Sequence, residues 1–254
     1  MNGNQELGHF LRTRRAKAQP DDRRPATRRR RVPGLRREEV AGEAGISVEW
    51  YVKLEQGRAV SPSAETVAAL SRALRLDPVD DAHLRALASR TGRPSFRPEA
   101  VPDALRRLVE RLPEPAYLTG RRWDVLAWNA AAEALFGFAA MAPAARNIIL
   151  FMMTDPAARR LFGSSWAVEA RRMTALFRSA FDLWTGDAAF DALVDRIRTA
   201  QPDFDAWWTA HDVGAPVSGR KTLRHPSGGD LRYDYATFQA NDDPALKLAL
   251  YTRS

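Results

Sequence analysis

Arg37-Glu38-Glu39-Val40-Ala41-Gly42-Glu43-Ala44-Gly45-Ile46-Ser47-Val48-Glu49-Trp50-Tyr51-Val52-Lys53-Leu54-Glu55-Gln56-Gly57 is the stretch of this 254-residue chain that decides its fold. Val40, Ala41 and Ala44 recur at helical spacing, and Tyr51 and Leu54 do so again after a break at Gly45. Ala41 is small enough for a second helix to approach closely. Gly45 allows the tight turn a positive φ. Ser47 is placed to cap the second helix, and Ile46, Tyr51 and Leu54 pin it to the core. Val48, Glu49, Val52 and Lys53 are then left on its outer face. In a two-helix unit of this kind such positions meet base edges in the major groove of a duplex.

The surrounding pattern is helical. Leu7, Phe10 and Leu11 form one apolar stripe. Val67, Leu70 and Leu74 form another, on a helix expected to start with Ser61 as cap and Pro62 at its first position. Leu84, Leu87 and Ala88 mark a fifth helix. The segment 91–98 holds Gly92, Pro94 and Pro98 and breaks the pattern, which puts a boundary within 91–100. The division expected is an all-α five-helix domain over 1–92, a linker helix within 93–113, and a second domain over 114–254.

The second domain changes character. Strands are expected at Ala116–Thr119, Trp123–Trp128, Arg220–His225, Asp230–Phe238 and Leu246–Thr252. Between them run helices, one capped by Asn129 and ended by Gly137, the longest spanning about Trp166–Trp184. The order implies an α+β domain, a five-stranded antiparallel sheet with helices on one face. Arg232 and Asp234 are expected on its outer face, in a cross-strand pair.

Charge separates the two halves. Residues 1–100 hold 20 Lys/Arg against 13 Asp/Glu, and residues 101–254 hold 19 against 18. The basic half suits a polyanion. Nine of its cations lie in residues 17–37, including the run Arg28, Arg29, Arg30 and Arg31. Such a run is too charged to pack. It either clamps phosphates or a neighbouring minor groove, or stays solvated. Arg37, Ser47, Trp50 and Arg58 complete the expected DNA-facing set, with Trp50 against the sugar-phosphate or a neighbouring helix. Lys53 suits guanine O6/N7. Glu49 suits either cytosine N4 or an ion pair with Lys53 four residues on.

Several classes are disfavoured. With 45 % hydrophobic and 28 % charged residues the chain has ordinary globular composition. It has no cysteine, which rules out a disulfide framework and suits a reducing cytoplasm. The start, MNGNQELGHF, lacks a signal peptide's apolar core, and the apolar run Ile148–Met153 is too short to span a bilayer, so no membrane role is expected. The four histidines, at 9, 83, 211 and 225, show no metal-ligand spacing, and neither a Gly-x-Ser-x-Gly elbow nor a phosphate-cradling glycine loop occurs. The reading is therefore a non-enzyme without metal or cofactor.

Taken together, these motifs resemble a known family. Residues 5–88 are similar to Xre-type helix-turn-helix domains. Pro33-Gly34-Leu35-Arg36-Arg37-Glu38-Glu39-Val40-Ala41 with Trp50-Tyr51-x-x-Leu54-Glu55-Gln56-Gly57-Arg58 resembles the narrower MmyB-like regulators. The likeness continues through Asp124-Val125-Leu126-Ala127-Trp128-Asn129, Arg146-Asn147, His211-Asp212-Val213, His225-Pro226 and Tyr251-Thr252. It implies a transcription regulator whose second domain is PAS-like and similar to domains that hold a fatty acid. Phe151, Met152, Met173, Phe177, Phe181, Trp207 and Tyr235 would line such a site, although aromatics and methionines at helical spacing equally make plain core. Arg122, Arg146, Asn147, Arg172 and His211 are candidates for the acyl carboxylate, with Asn147 alternatively a helix cap. The partners expected are double-stranded DNA with a palindromic operator, a hydrophobic effector such as a long-chain fatty acid, and a second copy in a homodimer. The alternative is a second domain that only dimerises or recruits a partner.

Overall fold

A computed structural model of the chain describes residues 3–18, 34–58, 61–89, 95–210, 212–214, 218–225 and 229–254. They fall into two units. The first is Met1–Ser95 together with Phe181–Asp187, and the second is Phe96–Ala180 together with Ala188–Ser254.

The first unit contains the five expected helices: α1 (Gly3–Lys17), α2 (Arg37–Ala44), α3 (Val48–Glu55), α4 (Ala64–Ala73) and α5 (Pro78–Ala88). Their apolar stripes converge on one core that includes Leu11, Val40, Tyr51, Leu54, Leu70 and Leu84, all essentially inaccessible to water. The helix ends obey capping chemistry. Ser47 accepts from Trp50 N–H, Asp77 from Asp80 N–H, and Pro78 opens α5. The cap of α4 is Ser63 and not Ser61: its hydroxyl accepts from Thr66 N–H at 3.2 Å. Gly45 has φ +68 and ends α2 in the left-handed region. Gly8 permits a close approach, because a Cβ there would meet the carbonyl oxygens of Leu54 and Glu55 at 2.6 and 2.7 Å. In the appended segment, Asp182 Oδ2 lies 3.0 Å from His83 Nε2, and both side chains are buried.

A buried carboxylate adjoins this core. Glu55 is 1 % exposed. Arg15 Nε donates to its Oε1 at 2.5 Å and Arg37 Nε to its Oε2 at 2.7 Å. Arg12 donates to the Glu55 carbonyl at 2.8 Å. One residue of α3 thereby ties down side chains from α1 and α2.

The second unit starts with α6 (Asp103–Arg111), followed by β1 (Ala116–Thr119) and β2 (Val125–Trp128). Then come α7 (Ala130–Phe136), α8 (Ile148–Thr154), α9 (Pro156–Phe162), α10 (Trp166–Phe181), α11 (Ala188–Ala200) and α12 (Asp203–Thr209). The strands β3 (Gly219–His225), β4 (Gly229–Gln239) and β5 (Lys247–Arg253) close the chain. The sheet is five-stranded and antiparallel, in the order β2-β1-β5-β4-β3. One face carries Tyr117, Tyr233, Tyr235 and Tyr251. It is covered by the helical layer, with Phe136 and Phe138 packed on Tyr117. The opposite face carries Leu118, Ala127, Leu248 and Leu250, and the linker helix α6 lays Leu105 and Val109 against it. On that outer face Asp234 pairs with Arg220 at 3.2 Å, not with Arg232. Arg232 and Asp234 share a strand, whereas Arg220 sits opposite Asp234 in the register.

Asn129 joins these layers. Its Oδ1 accepts from Ala116 and Ala132 N–H, and its Nδ2 donates to the carbonyls of Leu112 and Glu114. It caps α7 and fixes the chain between α6 and β1 with the same side chain.

Burial alone would raise the Glu55 carboxyl, but hydrogen bonds from Arg15 and Arg37, and their charges, outweigh it and hold the group below the usual carboxylate range. The stability it contributes is therefore complete above that range and is lost as pH falls through the depressed value. Glu55→Gln is expected to destabilise the chain by about 3 kcal/mol at neutral pH. The loss on acidification below about pH 4.3 should also flatten in the variant. Thermal unfolding followed from neutral to acid pH checks both.

Candidate functional site

Helix α3 is displayed as its sequence demands. Tyr51 and Leu54 turn inward, and Val48, Glu49, Val52 and Lys53 lie along the accessible side. Val48, at 38 %, is one of the more exposed large apolar residues. The Ser47 cap sets the first turn, so the positive end of the helix and its outer side chains share one surface. Lys53 Nζ lies 3.1 Å from Glu49 Oε1. An exposed pair of this type contributes at most about 1 kcal/mol, so either partner can leave it for a base edge. Trp50 is half-buried, and Arg58 is exposed just beyond the helix. Arg37 is committed to Glu55 through Nε but keeps its side chain 45 % exposed. Arg28, Arg29, Arg30 and Arg31 lie outside the described residues.

In the second unit the polar candidates have structural partners. Arg122 is paired with Asp124 at 2.9 Å and stacks on Phe96. Arg146 donates to the carbonyls of Phe138 and Met141 and lies over Trp128. Asn147 caps α8 by accepting from Ile149 and Leu150 N–H, and it donates to the Arg122 carbonyl and Asp124 Oδ1. Arg146 and Asn147 thus hold the turn ahead of the apolar helix. His211 lies outside the described residues.

The apolar candidates are buried but not all together. Phe151 contacts Phe136, and the Met152 carbonyl accepts from Trp166 Nε1. Phe177 packs between Trp123, Phe190 and Trp208, one face of α10 carries Met173, and Trp207 lies beside Trp166. Phe181 falls in the first unit. A groove of about 560 Å³ opens instead on the outer sheet face, where Arg220, Asp234, Phe238, Leu250 and Thr252 line it.

Tyr235 and Arg172 belong to a polar cluster whose other members, Lys221 and Glu169, were not among the sequence candidates. Lys221 Nζ lies 3.0 Å from Glu169 Oε2 and 4.5 Å from the centre of the Tyr235 ring. Arg172 Nη1 lies 3.5 Å from the same Glu169 oxygen. Burial lowers the Lys221 ammonium below its ordinary range, with Glu169 opposing. Burial also pushes the Tyr235 phenol up to about 12, so it remains a neutral donor. The signal for Lys221 was present in the strand period: it shares parity with fully buried Leu223. Among the described residues no group of three or more His, Cys, Asp or Glu could hold a metal ion, and no helix is long and apolar enough to cross a membrane.

A family model described as the MmyB-like transcription regulator ligand binding domain matches residues 101–254, from α6 to the last strand. The chain belongs to the MmyB-like transcription regulators. A second model, a helix-turn-helix domain, matches residues 6–84 and so contains α3 with all its supports. No curated protein matches the chain. This MmyB-like regulator therefore joins a DNA-binding domain to a ligand-binding domain, and neither matched family is an enzyme.

The partners of Asn147 define its role as a scaffold. Asn147→Ala is expected to lower stability by about 2–4 kcal/mol, since it strands buried donors and acceptors around α8. Calorimetric unfolding measures this. A shift under about 0.5 kcal/mol would contradict it.

Proposed function

We propose that this MmyB-like regulator is a cytoplasmic, sequence-specific DNA-binding protein whose second domain senses a hydrophobic, fatty-acid-like molecule. The observation that carries the reading is the presentation of α3. Its inner side is locked by Tyr51, Leu54 and Glu55, while Val48, Glu49, Val52 and Lys53 face outward. A single such helix covers too few base pairs for useful specificity. Two copies on a palindromic operator, with half-sites about one helical turn apart, supply the rest. The aromatic and methionine-rich helical layer of the second unit, with the family of residues 101–254, supports an apolar ligand. That ligand acts by population shift: it favours one arrangement of the dimer only as far as it binds that arrangement more tightly.

A second reading is favoured by the outer sheet face, where Phe238 is 54 % exposed beside the groove. There the second domain only dimerises or recruits a partner protein. Native mass spectrometry after gentle purification separates the two. A co-purified lipid mass is expected from a sensor, and its absence from every preparation favours the second reading.

Selection from random duplex DNA, with and without extracted lipid, tests the main claim. The expected outcome is an enriched site of two inverted half-sites. Absence of any preference over random competitor at low salt would remove the DNA-reading role. Replacing Arg28, Arg29, Arg30 and Arg31 with serine is expected to weaken binding to all duplexes alike. It should also reduce the slope of log affinity against log salt by about 0.9 for each phosphate no longer neutralised. Unchanged affinity and slope would mean that the run does not touch DNA.

A further inference from the structure

The sheet of the second unit carries, on its helix-covered face, a lysine whose burial the DNA-binding role does not use. Lys221 stands on β3 at a position whose parity sends it under the helices. Its stem is long enough to carry a charge out to water, yet only 8 % of its side chain is exposed. The ammonium meets Glu169 Oε2 at 3.0 Å, the Tyr235 ring at 4.5 Å and the Phe162 ring at 5.6 Å. The same Glu169 oxygen is also approached by Arg172 Nη1 at 3.5 Å, so it is shared between two cations. A buried ion pair often holds a fold together no better than apolar packing of the same volume. A buried ammonium with three donors, set against aromatic ring faces, is, however, a ready receptor for an oxygen anion.

The surroundings specify what that anion carries. Glu169, Met173 and Phe177 follow one another at four-residue spacing on α10, a row about 12 Å long. The row is charged at its first position and fully apolar at its last, where Phe177 lies among Trp123, Phe190 and Trp208. A charged end and a long apolar run match an amphiphile.

We infer that Lys221 is the head-group anchor for an apolar carboxylate, whose carboxylate replaces Glu169 beside the ammonium while its chain follows the Met173–Phe177 side of α10. This rests on the ligand-sensing reading above and gives it an address. Glu169 is then an internal competitor, occupying the anchor until the ligand arrives.

The test uses delipidated full-length protein titrated calorimetrically with decanoate and, separately, with 1-decanol. Lys221→Met keeps the stem's bulk and removes the charge. It is expected to weaken decanoate by about tenfold or more and to leave decanol within about twofold. Glu169→Gln removes the competitor and is expected to tighten decanoate by about threefold or more, a sign that a merely structural ion pair would not produce. If both ligands bind the parent and Lys221→Met leaves decanoate unchanged, the anchor is wrong while the sensor reading survives. If neither ligand binds the parent protein, both fall. Should Lys221→Met not fold, Glu169→Gln decides: unchanged or weaker decanoate binding overturns the assignment.

Discussion

Glu55 is a carboxylate with almost no water around it, and arginines from two other helices converge on it. The positions of the surrounding helices depend on that arrangement. An unpaired carboxylate at this depth would cost several kcal/mol, so α1 and α2 must deliver Arg15 and Arg37 to one point on α3. Delivery fixes how α3 is rotated about its own axis. Tyr51 and Leu54 bury on the side of Glu55, and the first-turn residues are left facing outward. Arg12, bound to the Glu55 carbonyl, and Gly8, which has no side chain to obstruct it, bring α1 against the end of α3. The outward presentation of the first-turn side chains of α3 is thus a consequence of how one buried charge is satisfied.

The second unit uses amides in the same way. Asn129 and Asn147 each cap a helix with the oxygen and tie a distant backbone carbonyl with the nitrogen. Every hydrogen-bonding function of the side chain is engaged, as buried polar groups require. These amides tie the backbone where the sheet meets α7 and α8. Lys221 and Glu169 differ in kind. Their ion pair lies against the rings of Phe162 and Tyr235, and its carboxylate oxygen is shared with Arg172. A domain held by well-made amide caps can contain one exchangeable ion pair, and that is where the proposed carboxylate would compete with the protein's own groups.

Much of this was legible in the chain. The caps at Ser47 and Asn129, the left-handed turn at Gly45, the alternating strands and the division into a helical and an α+β domain all follow from local rules. The α4 cap is Ser63 where Ser61 was expected, because both serines precede the apolar stripe and only helix geometry selects which one faces Thr66. Asp234 pairs with Arg220 and not Arg232 because pairing across strands depends on register, which sequence spacing within one strand does not reveal.

The candidate ligand residues divide along the same line. Side-chain type marked Arg122, Arg146 and Asn147 as candidates for a carboxylate, but type does not show which partners a group already has. Lys221 and Glu169 are 52 positions apart and meet only because the fold brings a side chain of β3 within reach of one on α10. Residue order alone sets which elements form and which faces they bury, since capping, φ restriction and apolar periodicity act over a few residues. Which charges share a buried site is settled by the packing of those elements in three dimensions. A buried charge is stabilised by whichever opposite groups the fold brings within a few ångströms, however far apart they stand along the chain.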